Sequence, residues 1–327
     1  MEKKMSAQML DCKAVAAAIS ESCKAEAENL KTKGIVPKLG IFRVGEKGPD
    51  LSYEKGATRT MNDAGIEVEV FSYPADISQE DYIKEFKMVN ADPAIHGILA
   101  FRPLDNIDEN EAIGKNIAVE KDVDACTAAN MGKLVVNDPT GLYPCTAAAI
   151  MQVMDYYTDA IREVRKANDP AYVEKEGEDI CTGLKVCIVN NSNVIGKPLA
   201  MFLTNRFAVV SIIHHLMSQE DRNRIASDAD VLVAATPFRN TVTADMIKPG
   251  AMVIDASVIR EKVFDENGEP VINEKTGRQK IAVYGCCADD VAEKAAYMTP
   301  VPGMGSVTSA MLAGNLIKAC KVQNNLI

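Results

Sequence analysis

The chain has 327 residues, 47% of them hydrophobic and 25% charged, with a formal net charge of −10, which is room for two domains with sizeable cores in a globular protein. The acidic balance and the lack of a dense basic run exclude nucleic acid as a partner, because nothing would offset phosphate repulsion. No apolar run reaches membrane-spanning length, which excludes a membrane role. Lys3 and Lys4 precede no apolar core, which argues against a secretory signal, and nine cysteines without regular spacing suit a reducing cytoplasm better than a disulfide framework.

Taken in order, Asp11 is placed to cap a helix carrying Val15, Ile19, Cys23, Ala27 and Leu30, with Gly34 and Pro37 as its stop. Leu39 to Val44 reads as a strand, Tyr53 to Ala64 as a helix ended by Gly65, and Ile66 to Tyr73 as a second strand alternating Val68 and Val70 with acidic residues. Ser78 and Asp81 have capping-box spacing before a helix bearing Tyr82, Ile83, Phe86 and Val89, and His96 to Phe101 is a third strand. This β-α-β-α-β alternation predicts a parallel sheet flanked by helices. A helix with Ile150, Val153 and Met154 leads out of this unit. The charged stretch from Thr158 to Thr182 lacks a sustained apolar period and reads as a surface insertion.

The second half opens on a run of four apolar residues, Val186 to Val189, the pattern of a strand buried on both faces. A polar turn follows, then Gly196 and a helix carrying Pro198, Leu199, Ala200, Met201 and Leu203. Such a strand–turn–helix leaves unpaired N–H groups and a positive dipole end where a pyrophosphate can sit. The dinucleotide fingerprint wants three glycines; only Gly196 is present, with Asn190 and Ser192 where the others would fall. By itself the stretch is equally an ordinary strand–loop–helix of an α/β protein.

Strands at Val209 to His214, Val231 to Ala235, Met252 to Asp255 and Ile281 to Tyr284 alternate with helical or turn segments around Gln219 to Ser227 and Thr243 to Ile247, a Rossmann-like rhythm. Val263 to Gln279, with Asn267-Gly268 and Thr276-Gly277, reads as an exposed hairpin or loop excursion. A helix from Asp289 to Ala296 follows, and a final helix with Met311, Leu312, Leu316, Ile317 and Cys320 is expected to return to the first unit. Cys286-Cys287 and His214-His215 are neighbours in sequence, a poor arrangement for chelation, so they read as packed thiols and partly exposed imidazoles, and no metal is expected.

Seven separated stretches bear on function together: Tyr53 in its helix; His96-Gly97-Ile98-Leu99 with Pro103-Leu104; Lys121-Asp122-Val123-Asp124; Pro144-Cys145-Thr146; Ser192 to Pro198; Ile247 to Asp255; and Thr299-Pro300-Val301-Pro302-Gly303. In these, and over nearly its whole length, the chain resembles the methylenetetrahydrofolate dehydrogenase/cyclohydrolases. The resemblance implies an α/β fold with two α/β domains around a cleft, the second Rossmann-like, and a homodimer. It implies a folate-binding domain over 1–155, completed by the C-terminal helix 306–327, and a nicotinamide-cofactor domain over 156–305. By the same resemblance, Tyr53 packs on the pterin, Asp124 accepts hydrogen bonds from its ring nitrogens, and Pro302 and Gly303 pass the aminobenzoyl group. The cofactor side falls to Asn190, Asn191, Ser192, Val194, Ile195, Gly196, His214, His215, Thr236 and Thr308.

The departures from that pattern carry the finer expectations. Ala57 stands where the bifunctional enzymes have their catalytic lysine, and Phe101 where they have the glutamine that tunes it. Alanine cannot move a proton, and a phenylalanine against it makes an apolar wall. Lys55 and Arg59 lie roughly 200° around the helix from Ala57, at about 100° per residue, so neither is expected to replace the lysine. The chain therefore resembles the family's dehydrogenase-only members. Asn191 and His215 replace an arginine and a serine that commonly touch the 2′-phosphate of NADP, which favours NAD without excluding NADP. Two alternatives stay open: a bifunctional enzyme using another base, and a non-catalytic folate- or nucleotide-binding protein. The roles of the stretches 158–182 and 263–279 are not legible.

Overall fold

The computed structural model describes residues 6–274 and 276–327; Lys3 and Lys4 lie outside the described residues. The chain divides into two compact units, one of Lys13–Ala149 with Ser306–Ile327, the other of the segment through Cys12 with Ile150–Gly305. The first strand, β1 (Gln8–Met9), belongs to the second of these.

The unit built on 13–149 contains most of α1 (Cys12–Thr32), then β2 (Lys38–Val44), α2 (Gly48–Asp63), β3 (Glu67–Tyr73), α3 (Gln79–Ala91), β4 (Gly97–Ala100) and α4 (Ala128–Val135), and ends within α5 (Cys145–Tyr156). Its three strands are all parallel in the order β3-β2-β4. Central β2 sends Leu39 and Ile41 into a core shared with Leu30, Met61 and Leu99, and Phe42 into a second core with Tyr82, Phe86 and Ile98. Alternation on a strand covered on both faces produces this split. Ser78 caps α3 by accepting from the Asp81 N–H at 3.1 Å. Helix α2 begins five residues before the expected Tyr53, because Pro49 suits its first turn; Gly65, at φ +75°, ends it as expected.

The other unit holds α6 (Thr158–Asn168), β5 (Lys185–Val189), α7 (Gly196–Asn205), β6 (Val209–Ile213), α8 (Gln219–Ala226), β7 (Val231–Ala234) and β8 (Met252–Asp255). After these come β9 (Ile259–Lys262), β10 (Ile281–Tyr284), β11 (Tyr297–Met298) and the start of α9 (Met304–Gln323). Its main sheet is parallel throughout, ordered β1-β11-β8-β7-β5-β6. This is the α/β architecture that the sequence predicts, with several corrections.

Ile281–Tyr284, expected in the main sheet, instead pairs antiparallel with β9 in a separate two-stranded sheet. Its alternating exposure fits a hairpin rather than a covered strand, and bridges Phe264–Pro270 and Ile272–Gln279 continue the excursion. The main sheet is completed by β11 and β1, two residues each and too short for any periodicity to reveal. The expected helix Asp289–Ala296 is a 3-10 helix over Asp289–Glu293. Thr158–Asn168 is a helix and not part of an insertion: Ala160, Ile161 and Val164 are buried, a stripe too narrow to stand out among charges. The division expected at 155/156 falls at 149/150, inside α5, and the segment through Cys12 changes unit because β1 hydrogen-bonds β11. Leu312, Leu316 and Ile317 of α9 pack into the core of the three-stranded unit. No described helix is long and apolar enough to cross a membrane.

Candidate functional site

In the three-stranded unit, β4 runs into a loop whose first residue, Phe101, is buried. Its ring lies 5.2 Å from that of Tyr53, tilted by 49°. Ala57, one turn further along α2, is buried in the same core cluster as Phe101. The apolar wall expected from sequence is therefore formed. About half of Tyr53 is exposed, which leaves ring surface accessible to a flat partner. Desolvation of its hydroxyl, then the charge of Asp124, pushes its pKa up to about 12, which leaves it no proton acceptor near neutrality. Lys55 and Arg59 are exposed, and Arg59 pairs with Asp63 at 3.7 Å.

Asp124 sits on a loop set by the carboxylate two residues before it. Buried Asp122 accepts from the Cys126 and Thr127 N–H groups at 3.0 and 2.9 Å and from Asn130 at 3.1 Å. Asn315 of α9 donates to the carbonyls of Val123 and Tyr143, both at 2.8 Å. Gly97 lets β4 pass beneath this loop: a Cβ there would meet Val123 Cγ1 at 2.3 Å and Leu316 Cδ1 at 2.6 Å. Asp124 is thereby held facing Arg102, which donates to it at 3.2 Å. Desolvation raises the Asp124 pKa above the ordinary value, and the Arg102 charge opposes that rise. Arg102 is a neighbour that sequence reading missed, although it lies beside Phe101 in the gap between the two parts of a quoted motif.

In the six-stranded unit, the turn after β5 differs from expectation. Asn190 Oδ1 accepts from the N–H groups of Ser192 at 2.8 Å and Gly196 at 3.0 Å, while its Nδ2 donates to the Ala235 carbonyl at 2.6 Å. Ser192 Oγ accepts from the Ile195 N–H at 3.1 Å. The amides expected to be unpaired at the start of α7 are thus paired within the turn, because asparagine stands where a glycine would leave them bare. Gly196 is required by close approach of the backbone: a Cβ there would meet the Asn190 carbonyl oxygen at 2.0 Å.

Six of the ten expected cofactor residues, Asn190, Asn191, Ser192, His214, His215 and Thr236, line one cavity of about 460 Å³. Val194, Ile195 and Gly196 lie on the adjoining turn and helix start and do not line it; Thr308 belongs to the other unit. The cavity also takes in Leu216, Phe238 and Arg222, none of which the motifs point to. Arg222 is the consequential one. Its Nε and the Nδ1 of His214 are buried and have no hydrogen-bond partner among the described residues. No carboxylate lines the cavity. A positive charge thus reaches the cavity from α8, where Arg222 is one basic residue among many and carries no sequence signal. Pro302 and Gly303 lie in the loop before α9, and the Val301-Pro302 bond is cis.

Two family models match the chain: the tetrahydrofolate dehydrogenase/cyclohydrolase catalytic domain over residues 10–124, and the NAD(P)-binding domain of the same enzymes over residues 172–324. The bifunctional protein FolD of Alkaliphilus metalliredigens is 38% identical over 320 residues, 98% of this chain and 99% of that one. Among solved structures, the bifunctional FolD of Campylobacter jejuni superposes with a TM-score of 0.77 at 28% identity, covering 96% of this chain and 99% of the other. The Trypanosoma brucei dehydrogenase-cyclohydrolase, complexed with NADP and an inhibitor, gives 0.76 at 28% identity over 97% and 98%.

Proposed function

The chain belongs to the tetrahydrofolate dehydrogenase/cyclohydrolase family, and from that premise we propose that it oxidises 5,10-methylenetetrahydrofolate to the 5,10-methenyl form. A hydride leaves the one-carbon bridge with both electrons of its C–H bond and reduces the nicotinamide of a dinucleotide, leaving the methenyl cation. The observation that carries this reading is the floor of Tyr53 and Phe101 beside Asp124. The exposed surface of the Tyr53 ring suits stacking of a pterin, and the Asp124 carboxylate suits its adjacent N–H donors. No step of hydride transfer asks a protein side chain to move a proton; it asks for alignment and exclusion of water. Ala57 under Phe101 offers no base for hydrolysis, so the local geometry supports a dehydrogenase without cyclohydrolase activity.

A second reading is favoured by the relatives, which are named as bifunctional. In it, another group activates water and the methenyl product is opened to formyltetrahydrofolate. For the nucleotide, Arg222 with His214 and His215 in a cavity free of carboxylates supports NADP, as the T. brucei relative binds. NAD is the reading supported by Asn191 and His215 at the motif positions. A homodimer in a reducing cytoplasm, suited to the nine free cysteines, completes the proposal; sedimentation of the purified chain as a monomer would remove its first part.

One assay addresses all of this. The purified chain is mixed with methylenetetrahydrofolate and either NAD or NADP, and the reduced nicotinamide and the methenyl chromophore are followed together. Reduced cofactor with accumulating methenyl product is the expected outcome. Absence of reduction with both nucleotides would reject the proposal in favour of a binding protein, and enzyme-accelerated methenyl decay would establish the bifunctional reading.

A further inference from the structure

We propose that Asp255, Cys286 and Cys287 form a binding site for one thiophilic divalent cation of the zinc class. Adjacent cysteines on an extended strand point to opposite faces, which is why the sequence alone discounts them. These two lie just beyond β10, where the chain arches over the end of β8. A carboxylate oxygen of Asp255 and the two sulfur atoms all lie within 4.8 Å of one another. Cys286 Sγ donates to Asp255 Oδ1 at 3.5 Å, and the Cys287 N–H donates to Oδ2 at 3.0 Å.

The arch is fitted to this carboxylate. A Cβ on Gly285 would meet Asp255 Oδ2 at 2.2 Å, so only glycine permits the approach. Ser257 donates to Oδ1 from its N–H at 3.0 Å and its hydroxyl at 2.5 Å, and the same hydroxyl accepts from the Cys286 N–H at 2.7 Å. These bonds hold the carboxylate in one orientation, the arrangement that positions a metal ligand. Asp255 and Cys286 are 1% and 0% exposed, while Cys287 is only half-buried and gives the ion its way in.

On loading, both thiols ionise and their two protons pass to solvent. The two thiolates and the carboxylate then fill three tetrahedral positions, with a solvent oxygen in the fourth. Two sulfur donors select zinc or cadmium over magnesium or calcium. The ion ties the arch to β8. The Cys286 carbonyl in that arch accepts from the Thr241 N–H at 2.9 Å, and Thr241 lines the nucleotide cavity.

The reduced, metal-free full chain is titrated with Cd²⁺ as a spectroscopic probe and then competed with Zn²⁺. The expected result is a thiolate-to-metal charge-transfer band that saturates at one ion per chain, with two protons released and two thiols protected from alkylation. Cys287→Ser, at the half-buried position and with circular dichroism to confirm folding, should weaken binding about tenfold or more; Cys126→Ser, outside the site, should leave it unchanged. No saturable band on the folded wild type, an undiminished band in C287S, or displacement by Mg²⁺ would each overturn the proposal. None of these readouts requires turnover, so the result is independent of the dehydrogenase reading.

Discussion

The floor beside Asp124 and the turn after β5 have both changed their polar inventory, in opposite directions. At the floor, Ala57 and Phe101 stand where the resemblance implies a lysine and a glutamine, and the ring of Phe101 packs against Tyr53. At the turn, a position for glycine holds Asn190, whose side chain takes up the N–H groups of Ser192 and Gly196. In both places the substituted side chain is itself accommodated, by ring packing at the floor and by hydrogen bonds at the turn, which is the condition a tolerated substitution must meet. The consequences differ. On the reading proposed above, the first change takes a proton carrier out of the reaction. The second ties up two backbone donors at the turn, while a positive charge, Arg222 of a neighbouring helix, lines the same cavity.

The sharpest way to break this contrast is to restore the floor. Ala57→Lys with Phe101→Gln should add methenyl hydrolysis on the order of a hundredfold over the uncatalysed rate, read as accelerated decay of the methenyl absorbance. Hydrolysis at that level already present in the wild type would mean the floor never lost its function. Next in size, Asp124→Asn should lower folate-dependent turnover roughly a hundredfold, as two charge-assisted hydrogen bonds are weakened. Nucleotide binding measured by fluorescence should not change, since Asp124 is in the other unit.

Arg222→Leu sharpens the other side. It should weaken NADP binding about tenfold, a loss of roughly 1.4 kcal/mol, while leaving NAD within about twofold by the same titration; equal losses for both nucleotides would place Arg222 away from the 2′-phosphate. A pH series separates Arg102 from these. Desolvation raises the Asp124 pKa and Arg102 lowers it, and the pterin contact needs the ionised carboxylate. Folate affinity therefore falls as pH drops through that raised value, and Arg102→Leu should move the fall to higher pH. The smallest effect belongs to Asn190→Gly, which frees two amides but loses the bond to Ala235, so stability should drop by about 1 kcal/mol in denaturant titration.

Much of this was legible before the structure. The apolar run Val186–Val189 sits at the centre of a parallel sheet, the Ser78 cap is made, and Ala57 with Phe101 forms a wall. What escaped did so for physical reasons. Two-residue strands have no period, so β1 and β11 could not be seen, and with them went the true placement of the N-terminal segment. The stripe on α6 is three residues wide, below what a hydrophobic pattern reveals among Arg162, Glu163 and Arg165. Arg222 matters because of what the fold brings beside it and carries no local mark, whereas Asp255 closes a quoted motif and gains its two cysteine neighbours only from the fold.

Each unit is stitched together from two segments far apart in the sequence. Gln8 and Met9 hydrogen-bond in register with Tyr297 and Met298, and Asn315 fastens the carbonyls of Val123 and Tyr143. A nascent chain leaving the ribosome cannot finish either half on its own, because the sheet edge waits for residue 298 and the Asp124 loop waits for residue 315. Losing the helix that carries Asn315 therefore forfeits the anchorage of a loop encoded almost two hundred codons upstream.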